Sequence, residues 1–373
     1  MNSKSAPNKG LLMNTSLLRI SLILTIVLTV SACSNKPEQP KPEAKPAEAA
    51  KPADRGGLQN ETMNIPADNP MTPEKVELGK MLFFDTRLSK TGKLSCESCH
   101  HPENGWTAGK AMTAKFDGSM NTRLAPSLNN VGYLHEWYWD GRGKTLEDVA
   151  LAAWQKQMGA DPEQIAKKLN DIAGYKDAFQ KATGGPATPD SIAKSLATFM
   201  RTIKSDNSQW DKCDTGGEKS AVCEGLQKGF DVFSHQNKAN CTLCHLPPLF
   251  TDTLFHNVGI GSDKKPMDPG RGKILEDEAK AAGKKDEKAA DMMGAFKTPT
   301  LRGIADEAPY FHDGRAKTLE EAVNTMIGGG IANDNLDPKL KKRNINLKEY
   351  ELLLAFIRSL TPEKKPFEKP KLP

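Results

Sequence analysis

Apolar side chains recur every three to four positions in six stretches of this chain: Thr72 to Phe84, Leu146 to Gln157, Pro162 to Asn170, Pro189 to Ile203, Leu319 to Met326 and Leu347 to Leu360. That spacing lines one face of an α-helix, and Gly and Pro punctuate the segments between. The pattern predicts a mainly α protein. Three other stretches depart from it. Ile20 to Val30 is an unbroken apolar run, too short for a comfortable membrane span. Residues 34–64 are rich in Pro, Ala, Lys and Glu and cannot bury a core, so they read as an extended tether. Ser262 to Asp291 is charged and Ala-rich and reads as a surface excursion.

The chain also repeats itself. Ala125-Pro126-Ser127-Leu128, running on to Tyr138-Trp139-Asp140-Gly141-Arg142-Gly143-Lys144-Thr145-Leu146-Glu147, returns as Thr298-Pro299-Thr300-Leu301 running on to Phe311-His312-Asp313-Gly314-Arg315-Ala316-Lys317-Thr318-Leu319-Glu320. The offset is 173 residues, the step from Trp139 to His312. A second pair of motifs, Cys96-Glu97-Ser98-Cys99-His100 and Cys241-Thr242-Leu243-Cys244-His245, repeats at 145, the step from Cys96 to Cys241. The excess in the second half falls within Ser262 to Asp291. An internal duplication follows, with domains at 69–205 and 206–365 and a tail at 366–373.

The second pair of motifs carries the chemistry. In C-x-x-C-H the two thiols add to the vinyl groups of a haem and the His ligates its iron. A lone C-x-x-C would also suit zinc or a redox dithiol, but two copies each followed by His favour two covalently bound haem c groups. Cys96, Cys99 and His100 would hold the first, and Cys241, Cys244 and His245 the second. The expected fold class is therefore mainly α, with two cytochrome c-like haem domains related by duplication.

Seven cysteines sharpen the picture. Four are haem thiols. Cys213 and Cys223 read as a disulfide in an oxidising compartment, with two buried thiols as the alternative. Cys33 ends Val30-Ser31-Ala32-Cys33, which resembles a bacterial lipobox, after the Arg19 and apolar run of a signal peptide. Residues 1–32 then read as signal peptide and 33–68 as a lipid-anchored flexible linker, with an ordinary cleaved signal as the alternative. The expected location is periplasmic, on an outer-membrane lipoprotein. The net charge of +5 is small, with no basic stripe interleaved with aromatics, so nucleic acid is not an expected partner.

Met326 lies on the helix that follows the second repeat, and a thioether is a common sixth ligand that raises haem potential. One repeat earlier stands Ala153, which cannot bind iron. One haem is then closed by His245 and Met326, while the other has only His100. A core methionine is the plainer reading of Met326 alone, and His135 is the residue that could close the first haem.

Taken together, these motifs resemble the bacterial di-haem cytochrome c peroxidases, with the tryptophan-modifying MauG enzymes as near relatives. The resemblance covers about residues 65–362. It rests on Leu78-Gly79-Lys80-Met81-Leu82-Phe83-Phe84-Asp85, both haem motifs, Trp139-Asp140-Gly141-Arg142, Phe255-His256-Asn257, Phe296-Lys297-Thr298-Pro299-Thr300-Leu301-Arg302 and Pro309-Tyr310-Phe311-His312-Asp313-Gly314. It implies a peroxide site at the first haem, electron entry at the second, Met326 as sixth ligand where MauG-type proteins have Tyr, and Trp139 as an electron relay between the haems. Hydrogen peroxide and a small periplasmic donor, a cytochrome c or a cupredoxin, are the implied partners, and the resemblance leaves a homodimer open.

The chain departs from that family at four places. Val149 replaces a Gln. The distal Glu falls on Gly159 without a gap, or on Gln157 with a two-residue deletion, and an amide cannot shuttle a proton as a carboxylate does. Phe116 stands where the family's switchable distal His lies. The Asn of the family's interdomain calcium site falls on Leu124, leaving Glu307 as a nearby oxygen donor and calcium doubtful. The expected catalytic residues are His100, Trp139 and Gln157. Three functions remain: a peroxidase, a MauG-like oxidant of a partner protein's side chain, or a non-enzymatic electron carrier if His135 closes the first haem.

Overall fold

The computed structural model describes Leu58 and residues 61–373. Residues 1–32, read as a signal peptide, Cys33 and all but the end of the expected linker lie outside the described residues. No helix among the described residues is long and apolar enough to cross a membrane.

Ten α-helices carry the described fold: α1 Pro73–Phe84, α2 Leu146–Met158, α3 Pro162–Asn170, α4 Ala173–Thr183, α5 Pro189–Arg201, α6 Gln209–Asp214, α7 Ala221–Ser234, α8 Gly270–Ala281, α9 Leu319–Ile327 and α10 Leu347–Ser359. The six periodic stretches correspond to α1, α2, α3, α5, α9 and α10. The other four helices were not expected. Their starts follow from local chemistry. Thr72 caps α1 with Pro73 behind it, and Thr188 and Ser191 form a reciprocal cap on α5. The duplicated Thr145 and Thr318 each accept the backbone N–H three residues on, starting α2 and α9 alike. Two residues each of Phe255–His256 (β1) and Phe296–Lys297 (β2) make one short antiparallel pair.

The apolar faces collect in two cores. One gathers Leu78, Leu82, Phe83, Trp154, Phe179, Leu196 and Phe199, and the other Trp210, Phe230, Phe233, Leu353 and Phe356. Each core is closed by one helix crossing, α1 against α5 and α7 against α10. Each crossing turns on a glycine. A Cβ on Gly79 would lie 2.0 Å from the Ser195 carbonyl oxygen, and one on Gly229 would lie 2.4 Å from that of Leu352. Each core also carries one buried arginine held in a fork by a carboxylate. Arg201 meets Glu147 at 2.7 and 3.0 Å, and Arg302 meets Asp211 at 2.9 and 2.8 Å. Cys213 and Cys223 form a disulfide joining α6 to α7.

The stretch read as a surface excursion is largely exposed but also makes long-range contacts. Within Ser262 to Asp291 the outer face of α8 is exposed, but its first turn docks onto the first repeat. Arg271 donates to the Asp140 and Gly141 carbonyls at 3.3 and 3.1 Å and to Glu136 at 3.1 Å. Asp268 takes a fork from Arg123 at 2.6 Å on each arm. Charge composition made the stretch look like solvated loop; Asp263, Lys264, Asp268, Arg271 and Glu278 nevertheless pair with residues distant in sequence. The tail likewise packs: Phe367 stacks on Phe84 at 5.3 Å and meets the Trp106 ring edge-on at 5.1 Å.

The glycine crossing is testable. Gly79→Ala forces its methyl onto backbone rather than onto a movable side chain, so it is expected to cost about 1–3 kcal/mol of stability. Thermal unfolding of the haem-loaded protein reads this as a lowered Tm, and an unchanged Tm would show that α1 and α5 part without cost.

Candidate haem-binding sites

Each C-x-x-C-H motif wraps one 3₁₀ turn, Cys96–Ser98 and Cys241–Leu243. The turn brings the histidine N–H onto the first cysteine's carbonyl, at 3.1 Å for His100 and 2.9 Å for His245. Two thiols and an imidazole therefore converge on one side. These four cysteines are the free thiols among the described residues, the remaining pair being spent in the disulfide.

What orients the imidazoles was not visible in the motif. The Nδ1 of His100 lies 3.0 Å from the Trp106 carbonyl oxygen, and the Nδ1 of His245 lies 2.9 Å from that of Phe250. In both, Nδ1–H donates to the carbonyl and Nε2 is left bare for a metal. Both carbonyls come from non-glycine residues in the left-handed region, Trp106 at φ 61° and Phe250 at φ 53°. Such backbone costs energy and persists where surrounding structure imposes it. Trp106 is held by the rings of Phe83, Phe199 and Phe367 at 5.9, 6.1 and 5.1 Å. Burial pushes His100 down to about 4 and lowers His245 as well, which keeps both in the neutral form that a metal ligand needs.

A cavity opens beside each motif. Cavity A, about 150 Å³, is walled by Cys96, Cys99, His100, Ala153, Gln157 and Met158 among others. Cavity B, about 270 Å³, is walled by Cys241, Cys244, His245, Met326, Trp139 and Phe311 among others. Met326 and Ala153 thus face equivalent spaces, as the repeat requires. Gln157 reaches cavity A, and its side-chain oxygen is buried with no hydrogen-bond partner. An orphaned acceptor of that kind fits a bound molecule. The converging thiols, the bare Nε2 atoms and this acceptor all suit a covalently held haem in each cavity.

The other expected residues fall as follows. Trp139 is half-buried on the wall of cavity B, its indole N–H donating to the Leu124 carbonyl at 2.9 Å. It does not line cavity A. Its neighbour Tyr138 lines both cavities and was missed, since one aromatic in a row of them carries no sequence signal. His135 is exposed and lines neither cavity, so the thought that it closes the first haem does not fit its position. Phe116 sits at the end of α2, donating its backbone N–H to the Gln157 carbonyl at 2.9 Å, and also lies off the wall of cavity A. Glu307 is buried, its carboxyl accepting from Asn129 at 3.0 Å and pushed up by burial to about 7. Beside cavity B, His256 bridges Asp337 at 2.5 Å and Asp252 at 2.8 Å. Hydrogen bonds that its ring N–H groups donate to the Cys244 sulfur and to these two carboxylates lift it to about 9.

A single-fold duplicate with a haem motif, an oriented histidine and a cavity in each half defines a di-haem c-type protein. The comparisons agree. A family model described as di-haem cytochrome c peroxidase matches residues 73–220. The chain is 34% identical over 303 residues to the methylamine utilization protein MauG of Methylophilus methylotrophus, covering 80% of this chain and 86% of that one. It is 32% identical over 313 residues to the cytochrome c551 peroxidase of Nitrosomonas europaea, covering 83% and 86%. Its fold matches the crystal structure of a MauG-like protein associated with microbial copper homeostasis with TM-score 0.70 and 30% identity, covering 81% of this chain and 93% of that one. The chain belongs to the di-haem cytochrome c peroxidase and MauG family. It is an oxidoreductase of the peroxidase type, in a family whose cofactors are two haem c groups.

Proposed function

We propose that this protein reduces hydrogen peroxide to water at cavity A, with electrons from a small periplasmic cytochrome c or cupredoxin entering at cavity B. The observation that carries the reading is the asymmetry between equivalent walls: Met326 in B, Ala153 in A. Haem bound there supplies the redox chemistry. His100 and His245, each fixed by its carbonyl partner, would hold the iron of the haem in its cavity. Met326 supplies a soft ligand in B, which favours a high potential, and Ala153 leaves room for peroxide in A. Gln157 accepts and donates hydrogen bonds to what enters there but holds no transferable proton. Trp139, packed on cavity B and bonded through its carbonyl to the Lys297 N–H at 2.8 Å, is the relay on the electron path.

A MauG-like oxidation of a partner protein's side chain is the second reading. It is favoured by the amide at Gln157 and by the identity to MauG, and opposed by Met326. Turnover of peroxide with a reduced small donor separates the two, because failure to turn over with any small cytochrome or cupredoxin defeats the first.

Met326→Ala removes the thioether from one haem. Its potential is expected to fall by on the order of 0.1 V, within the ~0.8 V range that axial ligands command. Spectroelectrochemical titration checks this, and two unchanged potentials would strike Met326 from the ligand set. Gln157→Glu restores a group able to carry a proton, and the rate of peroxide cleavage in stopped flow is expected to rise by about 10²-fold. A rate equal to wild type would mean that position 157 takes no part in proton transfer.

The lipobox at Cys33 supports periplasmic anchoring, with residues 34–64 as tether. Cys33→Ala is expected to release a soluble protein with intact haem spectra, since the tether separates anchoring from folding. Fractionation reads the outcome, and membrane retention of that variant would rule out the lipid anchor.

A further inference from the structure

Five residues line both cavities: Pro126, Ser127, Leu134, Tyr138 and Lys297. Lys297 alone among them is charged. It follows Phe296 in β2, and its ammonium donates to the Glu136 carbonyl at 2.9 Å. That acceptor is neutral, and no carboxylate lies within ion-pair distance of it among the described residues. An ammonium has three N–H groups, and this one bond uses one of them. A half-buried cation left without an anion costs free energy, and the apolar surroundings push this lysine down to about 8. The two cavities differ in what else they offer. Cavity B is also walled by Lys339, Lys341 and Arg343. Cavity A has no other cationic side chain on its wall.

We propose that Lys297 is the charge partner of the haem carboxylates in cavity A, standing at the partition between the two haem pockets. The proposal rests on the two-haem reading. A haem carries two carboxylates, and an apolar pocket that takes it in must supply a counter-charge or leave those groups to water. Lys297 is the fixed cation placed to do so, and its tether to Glu136 holds it there without neutralising it. A positive charge beside a haem favours the reduced state, which carries one positive charge fewer on iron. Lys297 therefore raises the potential of the cavity A haem. The haem in cavity B, with three further cations on its wall, depends on it less. The same residue's backbone N–H holds the Trp139 carbonyl, so the pairing charge and the relay share one strand.

The test compares Lys297→Met and Lys297→Arg with wild type in the full haem-loaded chain. Covalent haem per chain is counted first from the alkaline pyridine spectrum, and each potential is then read by spectroelectrochemical titration. Two haems per chain are expected in wild type; fewer would defeat the two-haem reading and this proposal with it, whereas the potentials test this proposal alone. With two haems present, Lys297→Met should lower the cavity A potential and shift that of cavity B by less, while Lys297→Arg should keep both. An unchanged cavity A potential in Lys297→Met overturns the proposal. So does an equal fall in Lys297→Arg, which would mean that shape and not charge mattered. Should Lys297→Met fail to accumulate, Lys297→Gln keeps a donor for the Glu136 carbonyl and carries the same comparison.

Discussion

Two hydrogen bonds govern the rest of this molecule: the Nδ1–H of His100 to the Trp106 carbonyl and that of His245 to the Phe250 carbonyl. Each fixes which nitrogen is bare and where it points. Each requires a bulky residue to hold left-handed backbone, at φ 61° and 53°. Such a conformation survives only under external constraint. The aromatic cluster around Trp106 and the rings around Phe250 supply it. The two cores do more than stabilise the fold, because they hold a strained carbonyl under each histidine. The ring of Phe367, near the very end of the chain, is part of that support for the first site.

Duplication made the halves alike, and small differences make them complementary. Glycine crossings, buried arginine forks and Thr caps recur in both. The methionine and alanine at equivalent wall positions do not. On the proposed reading, a shared scaffold with one soft ligand added would give two redox groups of different potential, which is what directed electron flow between them needs. The partition between the pockets is correspondingly thin, five residues wide in its shared lining, with a lysine as its one charge. The second-half insertion then ties the halves together through Arg271 and through the Arg123–Asp268 fork.

Family membership sets the chemistry more coarsely than the site does. Relatives of nearly equal identity bear the names of a peroxidase and of MauG. The discriminating features are local: a thioether in one cavity, and an amide with an orphaned oxygen in the other. If Gln157 holds the position of the family's distal acid, as proposed, the amide leaves hydrogen bonding intact and removes proton transfer, a change in one step and not in the architecture.

Much of this was legible in the sequence by itself. Cys96, Cys99, His100, Cys241, Cys244 and His245 stood out because covalent haem attachment demands contiguous residues at fixed spacing. The six periodic helices were readable because a helix buries one face every three to four residues. The repeat exposed the Met326 and Ala153 asymmetry by subtraction. Helices α6 and α8 were not readable, since α6 is only six residues long and α8 buries no apolar stripe; α4 and α7 do carry the period, at Tyr175 and Phe179 and at Cys223, Leu226, Phe230 and Phe233, and were passed over. Nor could sequence find the Trp106 and Phe250 carbonyls, because backbone groups have no letter and any residue supplies one. It could not place Tyr138 or Lys297 on the shared wall, or spend the charges of the insertion on Asp140 and Arg123. Those assignments join residues more than a hundred positions apart, and only packing decides which distant side chains share a space.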